Sequence, residues 1–314
     1  MSVRIILNCS IMTENRRSMK IRRDLLQLLL ALAPQGNARM ASTFMREKDR
    51  RTMIQDVRRS VSFWDIHTHL KMKFRLRKRK NLMKCLENTF STSSTVKYYQ
   101  GLHDICLFIL ELCDENVDLA RDITVGLFTA HFHDFMNTDF NRSLVPRLES
   151  IEELISRADP ELADRISRAG VGYFFAVPWI LTWFTHSVRS FDKLCVILRS
   201  VLSPCSISSQ ERVVYICVSA LILNRDRILC ETNDTGSVFR EAQLSPDLVS
   251  VNSLVQKSLF LMSSFPMKIP TIHATSIRIG CRTVWIVLVS SILLNAFAFL
   301  LSSTENAQLL SGWS

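Results

Sequence analysis

No two cysteines in this sequence are separated by two residues, so the C-x-x-C spacing of zinc fingers and thioredoxin-like redox sites is missing. The 9 cysteines are odd in number and lie mostly inside apolar runs, which points to reduced thiols and excludes the dense, even disulfide framework of a small secreted domain. Glycine and proline are scarce as well, with 8 of each in 314 residues. So few chain breakers exclude a turn-rich β fold and favour helices. Neither a G-x-S-x-G elbow nor a Walker glycine-rich loop occurs, so serine-hydrolase chemistry and P-loop nucleotide binding lack their first requirement. The opening MSVRIILNCSIM is interrupted by polar residues too early to supply a secretory h-region.

What the chain does have is positive charge, +10 formally, and a hydrophobic content of 47%. Such a charge suits a nucleic acid, an anionic membrane face or an acidic protein partner, and does not choose among them. Residues 283–302, TVWIVLVSSILLNAFAFLLS, carry no charge and one strongly polar residue, Asn295. Roughly 20 such residues in a helix span the ~30 Å hydrocarbon layer, so a single-pass transmembrane anchor is expected here. Lys268, Arg278 and Arg282 precede it and no Lys or Arg follows, which places residues 1–282 in the cytosol and 303–314 in a short lumenal tail.

The rest of the chain reads as helices. IRRDLLQLLLALA at 21–33 has a wide apolar face, 46–61 is a charged helix, and 148–168 is helical with a break at Asp159-Pro160. Ser208 or Ser209 with Glu211 forms a capping pattern that starts another helix, and 248–263 is a further one. Residues 233–247 look loop-like. The run KMKFRLRKRK opens a stretch with eight Lys or Arg between Lys71 and Lys84, and its alternating apolar residues suggest a basic strand. Aromatics for base stacking are sparse there, so no nucleic acid is expected; a solvated face or a stripe against anionic lipid fits better.

Two H-x-H pairs, His67 with His69 and His131 with His133, invite a metal reading. Residues two apart on a helix point roughly 200° away from each other, and no further ligands accompany either pair, so no metal site is expected. What remains is arginine and glutamine. GTP hydrolysis needs positive charge against the γ-phosphate and an amide to orient the attacking water, and a second protein can bring both.

Met53, Asp56-Val57-Arg58-Arg59-Ser60, then Tyr98-Tyr99-Gln100-Gly101-Leu102-His103-Asp104-Ile105, then Phe175-Ala176-Val177-Pro178-Trp179-Ile180-Leu181-Thr182-Trp183-Phe184 stand in that order. They resemble the I-x-x-D-x-x-R, Y-x-Q-G and F-A-x-x-W-x-x-x-x-F blocks of the TBC domain of Rab GTPase-activating proteins. With the apolar C-terminal segment, the wording is similar to the endoplasmic-reticulum-anchored branch of that family. The resemblance implies an all-α, two-lobed helical domain over residues 16–268, after an extension at 1–15 and before a linker at 269–282.

It further implies a Rab-family partner of the early secretory pathway that carries its own GTP and Mg²⁺, the chain having no cofactor itself. Arg59 would be the arginine finger and Gln100 the glutamine finger. Asp56 would orient Arg59, Tyr98 would brace the glutamine loop, and Gly101 would leave room for close backbone approach. The implied location is the endoplasmic-reticulum membrane, with the domain facing the cytosol. Two other readings stand beside it, the first motivated by the stretch 61–80, which lacks the family's Phe-Pro turn, and by Arg199, where the family usually has Asp, and the second by the basic run. They are a catalytically silent membrane-anchored Rab-binding module and a basic membrane adaptor built around residues 71–84.

Overall fold

The computed structural model describes residues 2–34, 45–91, 98–137, 140–230 and 234–267. Among them there are fourteen α-helices and no strand: α1 Ser2–Leu30, α2 Glu47–Arg59, α3 Met72–Ser91, α4 Leu102–Leu112, α5 Val117–Leu127, α6 His133–Asn137, α7 Phe140–Ala158, α8 Pro160–Arg168, α9 Val177–Thr182, α10 Phe191–Leu202, α11 Ser209–Leu223, α12 Arg225–Cys230, α13 Thr235–Leu248 and α14 Val251–Ser264.

Local chemistry sets several of the boundaries. The side chain of Asp159 accepts the Leu162 N–H at 3.1 Å while Pro160 occupies the first turn of α8, so the chain breaks where the sequence placed the break. Ser208 and Glu211 form a reciprocal capping box at the start of α11. Pro178 lies in the first turn of α9, where its missing N–H costs nothing.

Two helices form the interior. Residues Leu102–Leu110 of α4 are all buried, and α2, α3 and α5 pack around them. Residues Arg212–Leu221 of α11 are likewise buried, with α7, α10, α13 and α14 as neighbours. Helix α9 touches α4, α7 and α11 and so bridges the two groups, and α1 packs on α10 and α5.

Three sequence expectations need correction or placement. The basic run is helical: Lys78, Leu82, Cys85, Leu86, Thr89 and Phe90 of α3 are buried at helical spacing, and the alternation ahead of them falls on residues that are mostly exposed on every side. Residues 235–248 form helix α13, because Asp234 caps the Ser237 N–H at 3.0 Å and Val238, Ala242 and Ser245 bury one face. The expected membrane span at 283–302 and its flanking segments 269–282 and 303–314 lie outside the described residues, among which no helix is long and apolar enough to cross a membrane.

Candidate functional site

Helix α2 is amphipathic, and its last turn divides two acid–base partners between inside and outside. Asp56 is buried at 1% exposure, whereas the Arg59 side chain, one turn on, is 57% exposed. The i to i+3 spacing puts both on one face, and Arg59 Nη2 donates to Asp56 Oδ1 at 2.7 Å. A buried carboxylate is costly unless its lone pairs are filled, and the second oxygen is filled too: the Tyr98 hydroxyl donates to Asp56 Oδ2 at 2.7 Å. Burial and the adjacent Asp56 charge push the Tyr98 pKa well above its ordinary value, so the phenol stays a donor.

The chain leaving Arg59 is also fixed. Ser60 Oγ donates to the Val57 carbonyl at 2.7 Å, and Val61 takes a left-handed φ of 64°, an outlier for a β-branched residue. From α3, the Arg79 guanidinium donates two bonds, at 3.1 and 3.0 Å, to the Ser60 carbonyl. Its neighbours in the basic run are engaged as well. Arg75 holds the carbonyls of His67, Thr68 and Leu70, Arg77 pairs with Glu115, and Lys78 sits between Glu111 and Glu115. Half of the eight basic residues are thereby bonded to groups of this same chain, Arg77 at an exposed position.

The glutamine loop enters from the other direction. Tyr98 is buried with its ring edge-on to Phe90 at 5.5 Å, and the Tyr99 hydroxyl donates to the Leu181 carbonyl of α9 at 2.8 Å. Gly101 has φ 103°, and a Cβ there would stand 2.9 Å from Thr182 Cγ2. Gln100 is exposed between these two fixed points. Asp56 therefore ties together two segments 42 residues apart: it holds Arg59 directly and the Gln100 loop through Tyr98.

Sequence reasoning assigned no role to three groups beside them. Asp104 Oδ2 lies 2.6 Å from His186 Nδ1 and Asp104 Oδ1 lies 3.1 Å from His103 Nε2, while His103 Nδ1 is 3.6 Å from Asp56 Oδ2. Burial alone would raise the Asp104 pKa; His103 and His186 outweigh it and hold the carboxyl below its usual range. Partial desolvation alone would lower the His186 pKa, and the Asp104 and Asp56 charges outweigh that and raise it. His186 reaches this place because Trp183 and Phe184, at φ 47° and 70°, reverse the chain after α9. Buried Trp183 packs against Phe132 at 4.6 Å, which keeps two non-glycine left-handed residues in place. The motifs HDI and TWFTH were the available signal.

Of the two H-x-H pairs, His67 is buried with Nε2 3.0 Å from Glu111, and His131 and His133 straddle the junction of a π-turn and α6. No cluster able to hold a metal occurs among the described residues. The exposed groups are thus the Arg59 guanidinium, held by buried Asp56, and Gln100, on a loop braced by buried Tyr98.

Residues 20–229 match the family model of the Rab-GTPase-TBC domain. The chain belongs to that family. The matched region of this TBC chain contains all three motif blocks and ends ahead of α13. The chain is 29% identical over 197 residues to GTPase-activating protein gyp10 of Schizosaccharomyces pombe, covering 62% of this chain and 51% of that protein. It is 28% identical over 169 residues to human TBC1 domain family member 20, covering 54% and 40% respectively. The chain therefore spans about half the length of these relatives or less. Two solved structures share the fold, each at 16% identity. They are the Chlamydomonas flagellar RabGAP TBC domain, with TM-score 0.50 over 68% of this chain and 67% of that one, and the Ypt/Rab-GAP domain of Gyp1p, with TM-score 0.51 over 79% and 80%.

Proposed function

We propose that this TBC-family chain accelerates GTP hydrolysis by Rab GTPases of the early secretory pathway, with Arg59 as arginine finger and Gln100 as glutamine finger. The observation that carries the reading is the shared use of Asp56, which anchors Arg59 and, through Tyr98, the loop bearing Gln100. The Rab supplies GTP and Mg²⁺. In phosphoryl transfer, charge spreads over the equatorial oxygens of the γ-phosphate, so the protein's work is positioning and neutralisation. Arg59 is planar and forked, so one edge can stay on Asp56 while another meets the phosphate. Gln100 orients the attacking water with its amide. Gly101 lets the backbone of that loop lie close to α9.

The test uses the full chain and a panel of GTP-loaded Rabs, with phosphate release as readout. Removing an arginine finger costs roughly 10³ to 10⁵ in rate, so Arg59→Ala and Gln100→Ala should each abolish most of the acceleration. Acceleration unchanged by both substitutions would eliminate the mechanism. Arg59→Lys retains the charge and loses the fork, so its rate separates bidentate contact from simple charge.

The membrane part of the reading rests on sequence: residues 283–302 would anchor the chain in the endoplasmic-reticulum membrane, with residues 16–268 in the cytosol. Resistance of the chain to carbonate extraction and protease sensitivity of the domain on sealed microsomes are the expected results; release by carbonate rejects the anchor. The silent-module reading is weakened by Arg199, whose guanidinium pairs with Asp24 of α1 at 3.2 Å and so has a structural use. The basic-adaptor reading is weakened by the four basic residues of α3 bonded to groups of this same chain.

A further inference from the structure

We infer that His186, held by Asp104, is a positioning residue that sets the charge of the finger site, so that GTPase activation is strong while His186 carries a proton and fades when the proton is lost. The inference rests on the reading of Arg59 as the finger.

A line of polar groups leads from His186 to Arg59, with hydrogen-bond distances on either side of one wider step between His103 and Asp56. His186 Nδ1 meets Asp104 Oδ2 at 2.6 Å, Asp104 Oδ1 meets His103 Nε2 at 3.1 Å, and His103 Nδ1 faces Asp56 Oδ2 at 3.6 Å. Asp56 Oδ1 takes the Arg59 guanidinium at 2.7 Å. The buried His103 Nδ1 has no hydrogen-bond partner. His186 meets solvent at its end of the line, its side chain 47% exposed against 12% for Asp104.

The groups facing His186 account for the charge at this place. Helix α4 contributes Asp104 and His103, and α2 contributes Asp56 and Arg59. The loop after α2 contributes the Phe63 ring, stacked on His186 at 6.0 Å, with the Arg189 guanidinium 5.8 Å from that ring. Asp104, Asp56 and Arg59 sum to one net negative charge before any histidine proton is counted, and Arg189 stands beyond them, against the Phe63 ring. A single proton cancels it. A GTP triphosphate approaching Arg59 is itself anionic, so the uncancelled carboxylate charge opposes the approach and competes for the finger. Removing one unit of charge near the phosphates is expected to change activation roughly tenfold. Partial desolvation opposes a proton on His186, and the Asp104 and Asp56 charges prevail and raise its pKa, so the proton is held to a higher pH than on a free imidazole.

The decisive substitution is His186→Asn. Its amide nitrogen branches from Cγ as Nδ1 does, so it can keep the bond to Asp104 while never carrying a charge. kcat/KM for a GTP-loaded Rab is measured with the full chain between about pH 6 and 8.5, relative to the intrinsic rate of the same Rab at each pH. Wild type is expected to fall roughly tenfold across the range; His186→Asn should be low throughout and flat, and His186→Lys should restore activity at the alkaline end. Binding of Rab loaded with a non-hydrolysable analogue, measured for each variant, confirms that the fold is intact. A wild-type profile retained in His186→Asn overturns the inference and leaves Arg59 and Gln100 standing, provided Arg59→Ala is inactive in the same assay. Full activity in Arg59→Ala overturns both.

Discussion

Gly101 allows a quantitative test of how the glutamine loop is held. An L-residue at its φ of 103° carries a backbone cost of roughly 1–3 kcal/mol. The added Cβ of Gly101→Ala would also stand 2.9 Å from Thr182 Cγ2. Thr182 is poorly placed to yield, because its hydroxyl donates to the Pro178 carbonyl at 2.7 Å and accepts the His186 N–H at 3.2 Å. Overpacking of this kind costs about 1–3 kcal/mol. Alanine stiffens the unfolded chain, which returns about 0.4–1 kcal/mol, so Gly101→Ala should destabilise by roughly 1.5–5 kcal/mol. Thr182→Ser removes the offending methyl and keeps the hydroxyl, at a cost of about 1 kcal/mol by itself. In a double-mutant cycle the pair should couple favourably by about 1–3 kcal/mol, the steric part, while the backbone part persists in the double variant. Denaturant unfolding followed by fluorescence of the buried Trp64, Trp179 and Trp183 gives the stabilities, and phosphate release from a GTP-loaded Rab gives the activity. A Gly101→Ala chain as stable as wild type, or zero coupling to Thr182→Ser, would refute the reasoning.

At Gly126 of α5 a Cβ would overlap the Leu32 carbonyl, backbone that cannot rotate away, so Gly126→Ala should cost roughly 2–4 kcal/mol and expose the end of α1 to limited proteolysis. Glu111 accepts from Lys78 Nζ at 2.7 and 2.8 Å, and Glu111→Gln leaves that buried ammonium with Glu115 alone; a loss of about 2–4 kcal/mol in chemical denaturation is expected. Burial would raise the Glu111 pKa, but His67 and Lys78 prevail and depress it below 4.5. Its stabilisation is therefore present above the unfolded pKa and lost as pH falls through the folded one, so the acid limb of wild type, measured below about pH 5, should be steeper than that of Glu111→Gln. Arg79→Met removes both donors from the Ser60 carbonyl; it should lower Rab GTPase activation roughly tenfold with a stability loss of about 1–2 kcal/mol, whereas Lys80→Met, exposed and adjacent, should change neither.

The helix ends most legible in the sequence were those whose chemistry is local. Asp159-Pro160 and the Ser208–Glu211 pair specify a stop and a start with side chains three residues apart, and no tertiary contact is needed to read them. Helix α13 was hidden because its buried face is made of small and polar residues, Val238, Ala242, Ser245 and Pro246, behind an Asp-Thr-Gly-Ser opening that has the composition of a loop. The basic run misled for a related reason. Periodicity reports burial, and its first seven residues are largely solvent-exposed, so their alternation had no core to answer to. The polar partners of the site were visible as letters in HDI and TWFTH, but not as a cluster. Asp104 and His186 are 82 residues apart, and they meet only because two non-glycine residues adopt left-handed conformations after α9.

The same distinction bears on why Arg59 rather than Arg58 is the proposed finger. Both are exposed at the end of α2, and residues two apart on a helix diverge by roughly 200°, which turns Arg58 away from Asp56. At three residues the side chain returns over the buried carboxylate, and the flexible arginine is held at one nitrogen with the rest of the fork free. Holding an exposed arginine this way removes rotamer freedom before any partner arrives, so less entropy is lost on docking. Because Tyr98 fills the other oxygen of the same carboxylate, the support of Arg59 and that of Gln100 are one object, and motion of α2 against the loop ahead of α4 would displace both together. On the proposed reading, one buried acceptor would present both groups to a nucleotide that the partner carries.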